Sequence, residues 1–427
     1  MKVLVISSAT FSKVYNTGKT YEQIFSEFKN EELCQLFISP RDNEFSDFDF
    51  CSSYYSVSST DILNKFLGRS KECGREVQNK KLSNHKTFTK TYNQFKSINV
   101  KDRSLFHDIL WKTGLWKTRP LNRWLKEQKP DLIFYVPAEC SFTHEIVDWV
   151  AKMLNIPRAV YWTDDYFIHP IQKTIMQDIQ HFRAKRFYPK YINKASLRFC
   201  IGERMAEEYS NFFGVTFYPI MNIVDKIPFS PKDIQVGAPP VISYLGGLHL
   251  NRWKMIARFA ECIKDLALVK VYSASEITEE ISDAFKSSSV VFSGKLTGPK
   301  EVQDAIQASD MVLHVESDDV EYRRYTYLSV STKIPEYLIS SRPTIGFGPA
   351  EVASMRILSD HNVGIVISSD EDNDKVRDTV YRLIKDVDFR RTLVEKAHKY
   401  VSENFNREKV AKNFRERLES LIQYNIT

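Results

Sequence analysis

The stretch Ser331-Thr332-Lys333-Ile334-Pro335-Glu336-Tyr337-Leu338 places hydroxyls, a cation and a carboxylate within two turns of chain. It reads as a polar loop running into a short helix, followed by the Pro-started apolar strand Ser341-Arg342-Pro343-Thr344-Ile345. A helix N-terminus offers unpaired N–H groups and the positive end of its dipole, which suits a phosphate. Ser331, Thr332 and Lys333 add donors and charge at that end. Glu336, about one turn further in, offers a carboxylate to ribose hydroxyls. A capping box with Thr332 as N-cap and Glu336 near N3 or N4 explains the same residues without any ligand. This stretch alone leaves both readings open.

A second cluster is Ser243-Tyr244-Leu245-Gly246-Gly247-Leu248-His249-Leu250-Asn251-Arg252-Trp253-Lys254, read as strand, Gly-Gly turn and helix start. Gly246 and Gly247 permit close approach of backbone to a ligand. Arg252 supplies a fork to phosphate oxygens and Lys254 a point charge, unless Lys254 simply faces solvent on its helix. Fixed cations stabilise the charge of a bound diphosphate without reorganising. Arg252 and Lys333 are therefore the expected catalytic cations, in place of a metal. No Asp-x-Asp flanked by apolar strand residues argues for a bound divalent ion, and no other metal site is expected; Asp318-Asp319 and Asp370-Glu371-Asp372 read as solvated loop charges.

Two segments in the first half lie at expected strand ends. Phe11-Ser12 followed by Asn16-Thr17-Gly18-Lys19-Thr20 tempts a phosphate-loop reading, but its first glycine would fall on Lys13, which excludes a nucleoside triphosphatase. As the first βα loop of an open sheet it still faces the crevice, so Asn16, Gly18 and Lys19 are candidates for the acceptor side. Asp164 and Asp165, after Tyr161-Trp162-Thr163, could position acceptor hydroxyls or act as a base; capping of the next segment explains them equally well.

The run Lys333-Ile334-Pro335-Glu336-Tyr337-Leu338-Ile339-Ser340-Ser341-Arg342-Pro343-Thr344-Ile345-Gly346 resembles the nucleotide-binding motif of GT-B glycosyltransferases, especially glycosyltransferase family four. Gly246 to Arg252 is similar to that family's Gly-x(5–7)-Arg/Lys segment. Ala195 to Tyr209 and Tyr218-Pro219-Ile220-Met221-Asn222-Ile223-Val224-Asp225 resemble its two segments ahead of the interdomain linker. The resemblance implies two Rossmann-like doubly wound α/β domains facing a cleft, with a C-terminal helix crossing back to the first. It implies a UDP- or GDP-linked sugar donor, no separate cofactor, and transfer with retention to a glycan or lipid-linked glycan of capsule or O-antigen type. Many members carry Glu-x7-Glu; here Leu328 stands eight residues before Glu336, so Glu316 or Glu321 must serve, or the sugar is held differently. A sugar-nucleotide 2-epimerase of the same fold and a catalytically silent polysaccharide-assembly subunit are the competing readings.

The elements that would position these groups follow from composition and period. The 427 residues are 43% hydrophobic and 13% aromatic, enough for more than one core. Strands are expected at Val3–Ser7, Cys34–Ile38, Leu132–Val136, Arg158–Trp162, Leu197–Ile201, Val241–Leu245, Ala267–Tyr272, Val290–Ser293, Met311–His314, Thr344–Phe347 and Gly364–Ile367. Helical periodicity marks Thr20–Phe28, Phe142–Leu154, Lys254–Lys264, Lys300–Ala308, Asp374–Leu383, Asp388–Glu403 and Lys409–Leu421. That alternation predicts βαβ units and two parallel sheets. Pro and Gly crowd near residue 230, giving an acceptor domain over 1–230, a donor domain over 231–405 and a final helix over 406–427.

Charge is uneven. Residues 1–235 carry 34 Lys and Arg against 26 Asp and Glu, and residues 62–130 carry 17 against 5. Within that region, 109–126 holds Trp111, Trp116 and Trp124 among five cations, a composition able to sit on an anionic membrane surface or simply to pack on the sheet. No recognised nucleic-acid module is present. Six scattered cysteines without a Cys-x-x-Cys pair, and a start that reads as a buried strand rather than a signal peptide, fit a cytoplasmic protein that touches the inner face of the cell membrane at most. The oligomeric state and the donor sugar are not encoded in any motif.

Overall fold

The computed structural model describes residues 1–13, 16–38, 46–77, 103–137, 141–169, 175–235 and 237–423. The chain divides into two compact units, Met1–Ile220 with Val410–Thr427, and Met221–Lys409. In the first unit the strands are β1 (Val3–Ser7), β2 (Leu33–Phe37), β3 (Ser53–Ser56), β4 (Arg75–Val77), β5 (Leu132–Tyr135), β6 (Arg158–Trp162), β7 (Leu197–Cys200) and β8 (Tyr218–Pro219). They lie in the order β4-β3-β2-β1-β5-β6-β7-β8, parallel except for β4 against β3. β1, β2 and β5 are buried along their whole length, as a parallel sheet covered on both faces requires.

The second unit carries β9 (Val241–Leu245), β10 (Leu268–Tyr272), β11 (Val291–Phe292), β12 (Met311–Val315), β13 (Thr344–Gly348) and β14 (Ile365–Ser368). Their order is β11-β10-β9-β12-β13-β14, every pairing parallel. This is the doubly wound arrangement, in which chain direction across the sheet reverses between β9 and β12. Ile242, Phe259, Leu313, Ile345 and Phe347 form the centre of its core. Helix Arg407–Gln423 begins in the second unit and from Val410 belongs to the first. There Phe414 meets Phe25, Phe134 and Phe199 edge-on or tilted, and Arg415 pairs with Glu32 at 2.7 Å. The expected α/β class with two doubly wound sheets and a returning C-terminal helix is thus what the chain forms.

Several expectations are corrected. The first βα segment is helical from Asn16 to Ile24, so Gly18 and Lys19 lie in a helix rather than in a loop. Gly18 is there for packing: a Cβ would run into the Thr10 carbonyl and lie 2.8 Å from Ser12 Cβ. The charged run expected as a loop after β12 contains helix Val320–Thr326. The tryptophans of 109–126 are not presented to a membrane: Trp111, Trp116 and Trp124 are each no more than 3% exposed. Their indole N–H groups donate to Ser59 Oγ, the Trp111 carbonyl and Ser53 Oγ at 2.7–2.8 Å. Among the described residues no helix is long and apolar enough to cross a membrane.

Candidate functional site

β9 ends at Leu245, and the chain turns through Gly246-Gly247 before helix Arg252–Ile263. Leu250 and Asn251 both take left-handed backbone (φ 59° and 57°), a conformation costly for leucine and concentrated at functional turns. Asn251 is held there by its amide, which donates to Asp319 Oδ2 at 2.5 Å. The turn delivers Arg252 back over the sheet towards the neighbouring strand. Arg252 Nη2 and Nε donate to Glu316 Oε2 at 2.8 and 3.2 Å, and Glu316 directly follows β12. The pair therefore bridges β9 and β12, the two strands at the reversal point where open α/β sheets bind ligands.

Glu316 is fully enclosed, with His314 Nε2 3.1 Å from its other oxygen. Burial would push its carboxyl up, but Arg252 and His314 outweigh that and hold it at about 2. Burial likewise opposes the charge on Arg252, yet Glu316 raises its pKa above the usual arginine value, so both partners stay ionised. Gly348 at the end of β13 closes the back of this pair: a Cβ there would lie 2.5 Å from the Glu316 carbonyl, at φ 149°.

Lys333 comes to the same place by a helical spacing. Tyr337 is buried, and its hydroxyl accepts from Leu245 N–H and donates to Leu245 C=O, both at 3.1 Å. Lys333 lies four residues earlier, on the same side of the turn, and its carbonyl accepts from Tyr337 N–H at 2.9 Å. Pinning Tyr337 on Leu245 thereby brings Lys333 Nζ over Gly246, where a Cβ would sit 2.9 Å from it. The neighbouring glycine has the same use, because a Cβ at Gly247 would overlap the His249 imidazole. The two glycines make room for side chains over the turn. His249 Nε2 lies 3.2 Å from Arg252 Nη1.

The structure thus brings Gly246, Gly247, Arg252, Lys333 and Glu316 together, and adds His249, His314 and Tyr337. Helix Ile334–Ile339 is only six residues long, with Lys333 at its N-cap and no side-chain cap, so the Thr332 capping box does not form. Ser331 and Thr332 are partly exposed beside it; Thr332 C=O accepts from Asn222 Nδ2 at 3.3 Å, and Ser331 N–H donates to Ser354 Oγ. Glu336 is half-buried in the first turn. Lys254 is exposed, its ammonium 5.4 Å from the Trp253 ring centre. Leu328 is buried without exposed surface and Glu321 is exposed, whereas Glu316 is the carboxylate on Arg252.

The first-unit candidates are arranged otherwise. Asp165 accepts from the N–H groups of Phe167, Ile168 and His169, from His169 Nδ1 and from Tyr209 OH, at 2.7–3.0 Å. Burial alone would raise its pKa; these donors bring it below the ordinary value. A carboxylate so enclosed organises the turn 165–169, and a base role for it has no geometric support. Asp164 is partly exposed and accepts from Thr163 and Tyr166 hydroxyls at 3.1 Å. Lys19 is partly buried, and the side chain of Asn16 lies outside the described residues.

Two doubly wound units with a returning C-terminal helix define the fold of GT-B glycosyltransferases. No family model matches the chain, and no curated protein matches it in sequence. Among solved structures it is similar to HepE of Anabaena in complex with UDP and glucose, at 13% identity over 98% of this chain and 100% of that one, TM-score 0.63. A glycosyltransferase from Rickettsia africae ESF-5 matches at 10% identity over 99% of both chains, TM-score 0.61. WaaG, a glycosyltransferase involved in lipopolysaccharide biosynthesis, matches at 11% identity over 96% and 99%, TM-score 0.51.

Proposed function

We propose that the protein is a glycosyltransferase that moves a sugar from a UDP- or GDP-linked donor to a glycan or lipid-linked glycan acceptor in surface polysaccharide synthesis. The observation that carries this reading is the placement of Lys333 and Arg252 at the β9/β12 reversal point, directly over the Gly246-Gly247 turn. A donor diphosphate seated on that turn would meet the Lys333 ammonium, the exposed edge of the Arg252 guanidinium and the N-terminus of helix Arg252–Ile263. As the bond to the sugar breaks, charge grows on the diphosphate. Lys333 and Arg252 are fixed in advance, Arg252 by Glu316, so they stabilise that charge with little reorganisation. The transfer then needs no divalent metal. Glu336, half-buried beside Lys333, would take the ribose hydroxyls, and transfer would proceed with retention.

HepE, whose complexes contain UDP, UDP and glucose, and UDP-glucose, supports a nucleotide-sugar donor, and WaaG supports an acceptor of the surface-glycan class. The burial of Leu328 lessens the weight of a silent subunit, since that position faces the core while a carboxylate, Glu316, already stands at the end of β12. The test is transfer by the purified protein from a panel of nucleotide sugars to membrane glycolipid extract. Arg252→Ala and Glu336→Ala are each expected to lower turnover at least about 100-fold, as for removal of a transition-state contact. Wild-type turnover in both variants overturns the assignment. Conversion of a UDP-N-acetylhexosamine with no acceptor present would replace it with epimerase chemistry.

A further inference from the structure

His249 lies over the Gly-Gly turn, and the proposed transfer gives it no task. Its ring fills the space a Cβ at Gly247 would take, and its Nε2 is 3.2 Å from Arg252 Nη1. A guanidinium can only donate, so Nε2 accepts and the ring must be neutral as long as that bond stands. We propose that His249 joins Arg252 and Lys333 in holding the donor diphosphate, and that binding of the diphosphate loads a proton from solvent onto its imidazole. The inference rests on the donor-site reading above and deepens it.

Three charged groups act on the ring: Arg252 from the helix that follows, Lys333 from across the turn, and Glu316 from the end of β12. Tyr244, from β9, is engaged with the Gly247 carbonyl at 2.7 Å. Burial, Arg252 and Lys333 push the imidazole pKa below its ordinary value, and Glu316 opposes them. The ligand-free site therefore holds one cation neutralised by Glu316, one further ammonium, and a neutral imidazole. A diphosphate brings at least two negative charges against the two cations that keep the proton off. Once they face the ligand, the imidazole gains a proton, gives up its acceptor bond to Arg252 and becomes a third donor to the phosphates. Arg252 Nη1 is freed at the same moment. Summed over Arg252, Lys333, Glu316 and His249, the charge rises from +1 to +2 only when the leaving group is present.

The experiment is calorimetric titration of the whole protein with UDP and GDP at pH 7.5, in two buffers of different ionisation enthalpy. At that pH the terminal phosphate of the nucleotide, with a pKa about 6, is already ionised. Net proton uptake by the wild type, lost in His249→Gln, is expected. The wild-type Kd should also rise with pH above neutrality by up to about tenfold per unit, the limit for one linked proton, while that of His249→Gln stays flat. Tight binding with no proton uptake, or uptake retained in His249→Gln, overturns the role of His249 and leaves the donor site standing. No binding of either nucleotide overturns the donor-site reading and this one with it. The wild-type measurement decides without the variant if His249→Gln is unstable.

Discussion

The strand ends of the first unit and those of the second carry similar residue types and use them differently. After β6, Asp165 is enclosed by three backbone N–H groups, a histidine and a tyrosine, and at the end of β1 Ser7 and Gln35 bond to each other and to the Ala9 carbonyl. Polar groups there complete the backbone. After β9 and β12 the partners are side chains: Arg252 with Glu316, His249 with Arg252, Lys333 over Gly246. Charge balanced against charge can be redistributed when a ligand arrives, whereas charge bound by backbone amides cannot without unfolding the turn. Substitutions in the second unit's charge cluster are therefore expected to reach nucleotide affinity, and those around Asp165 to reach stability alone.

The largest effect should come from Glu316→Ala. Removing one partner of a buried ion pair typically costs about 3–5 kcal/mol because the other charge is left uncompensated. Denaturant unfolding should show that loss, together with lost nucleotide affinity. Asp165→Ala should destabilise comparably through its orphaned donors while folded protein still binds nucleotide with near-normal Kd. Loss of binding in Asp165→Ala at a temperature where it is folded would erase the contrast.

Gly246→Ala comes next. The new methyl would fall 2.9 Å from Lys333 Nζ and 2.7 Å from Tyr244 OH, and the flexible lysine is the group that can move. A loss of about tenfold in nucleotide affinity, about 1.4 kcal/mol, is expected with little change in melting temperature. Equal affinity would mean that Lys333 is not held over the turn when ligand binds.

Acid separates the units through different groups. His144 in the first unit is buried beside Tyr135, and burial with Arg158 nearby brings its pKa down to about 3. Below an unfolded value of about 6.5 the unfolded chain takes up a proton that the folded one refuses, so stability falls from there towards pH 3. Glu316 in the second unit, held at about 2, contributes stability that is complete above an unfolded value of about 4.3 and fades only below it. Denaturant unfolding between pH 7 and 4.5 should thus weaken the first unit first, and His144→Phe should flatten that slope. Its persistence in His144→Phe would assign it elsewhere. The smallest effect concerns Trp111, Trp116 and Trp124: being buried, they should give no shift in fluorescence when anionic vesicles are added.

What sequence could and could not convey follows the same physics. Apolar β-branched runs such as Val3–Ser7, Arg158–Trp162 and Val241–Leu245 are strands over the expected bounds, because a sheet covered on both faces leaves an uninterrupted hydrophobic signal. β3 and β4 escape because Ser53–Ser56 and Arg75–Val77 are short, β4 at the sheet edge and β3 next to it, with polar residues and no such run. The expected helix Thr20–Phe28 begins a turn earlier, at Asn16, and ends at Ile24; its start is obscured by Gly18, whose reason is a close approach to Thr10 invisible along the chain. At the site, Arg252 and Lys333 stand out as cations at βα turns, but Arg252 meets Glu316, 64 residues on, only because β9 and β12 are neighbours. Tyr337 had a readable signal, its four-residue spacing from Lys333. His249 and His314 had none, since a lone histidine acquires meaning only from what surrounds it.

The proposed donor site holds the diphosphate of a nucleotide sugar at Lys333 and Arg252 of the second unit. The most direct measurement is thermal unfolding of the wild type and of Lys333→Ala with UDP, GDP, and their sugar conjugates. A ligand at 100 times its Kd stabilises the folded state by about 2.7 kcal/mol, an easily read shift. The expected result is a shift with one nucleotide class that Lys333→Ala loses while keeping its ligand-free melting temperature. No shift with any of them, or the same shift in Lys333→Ala, would contradict it.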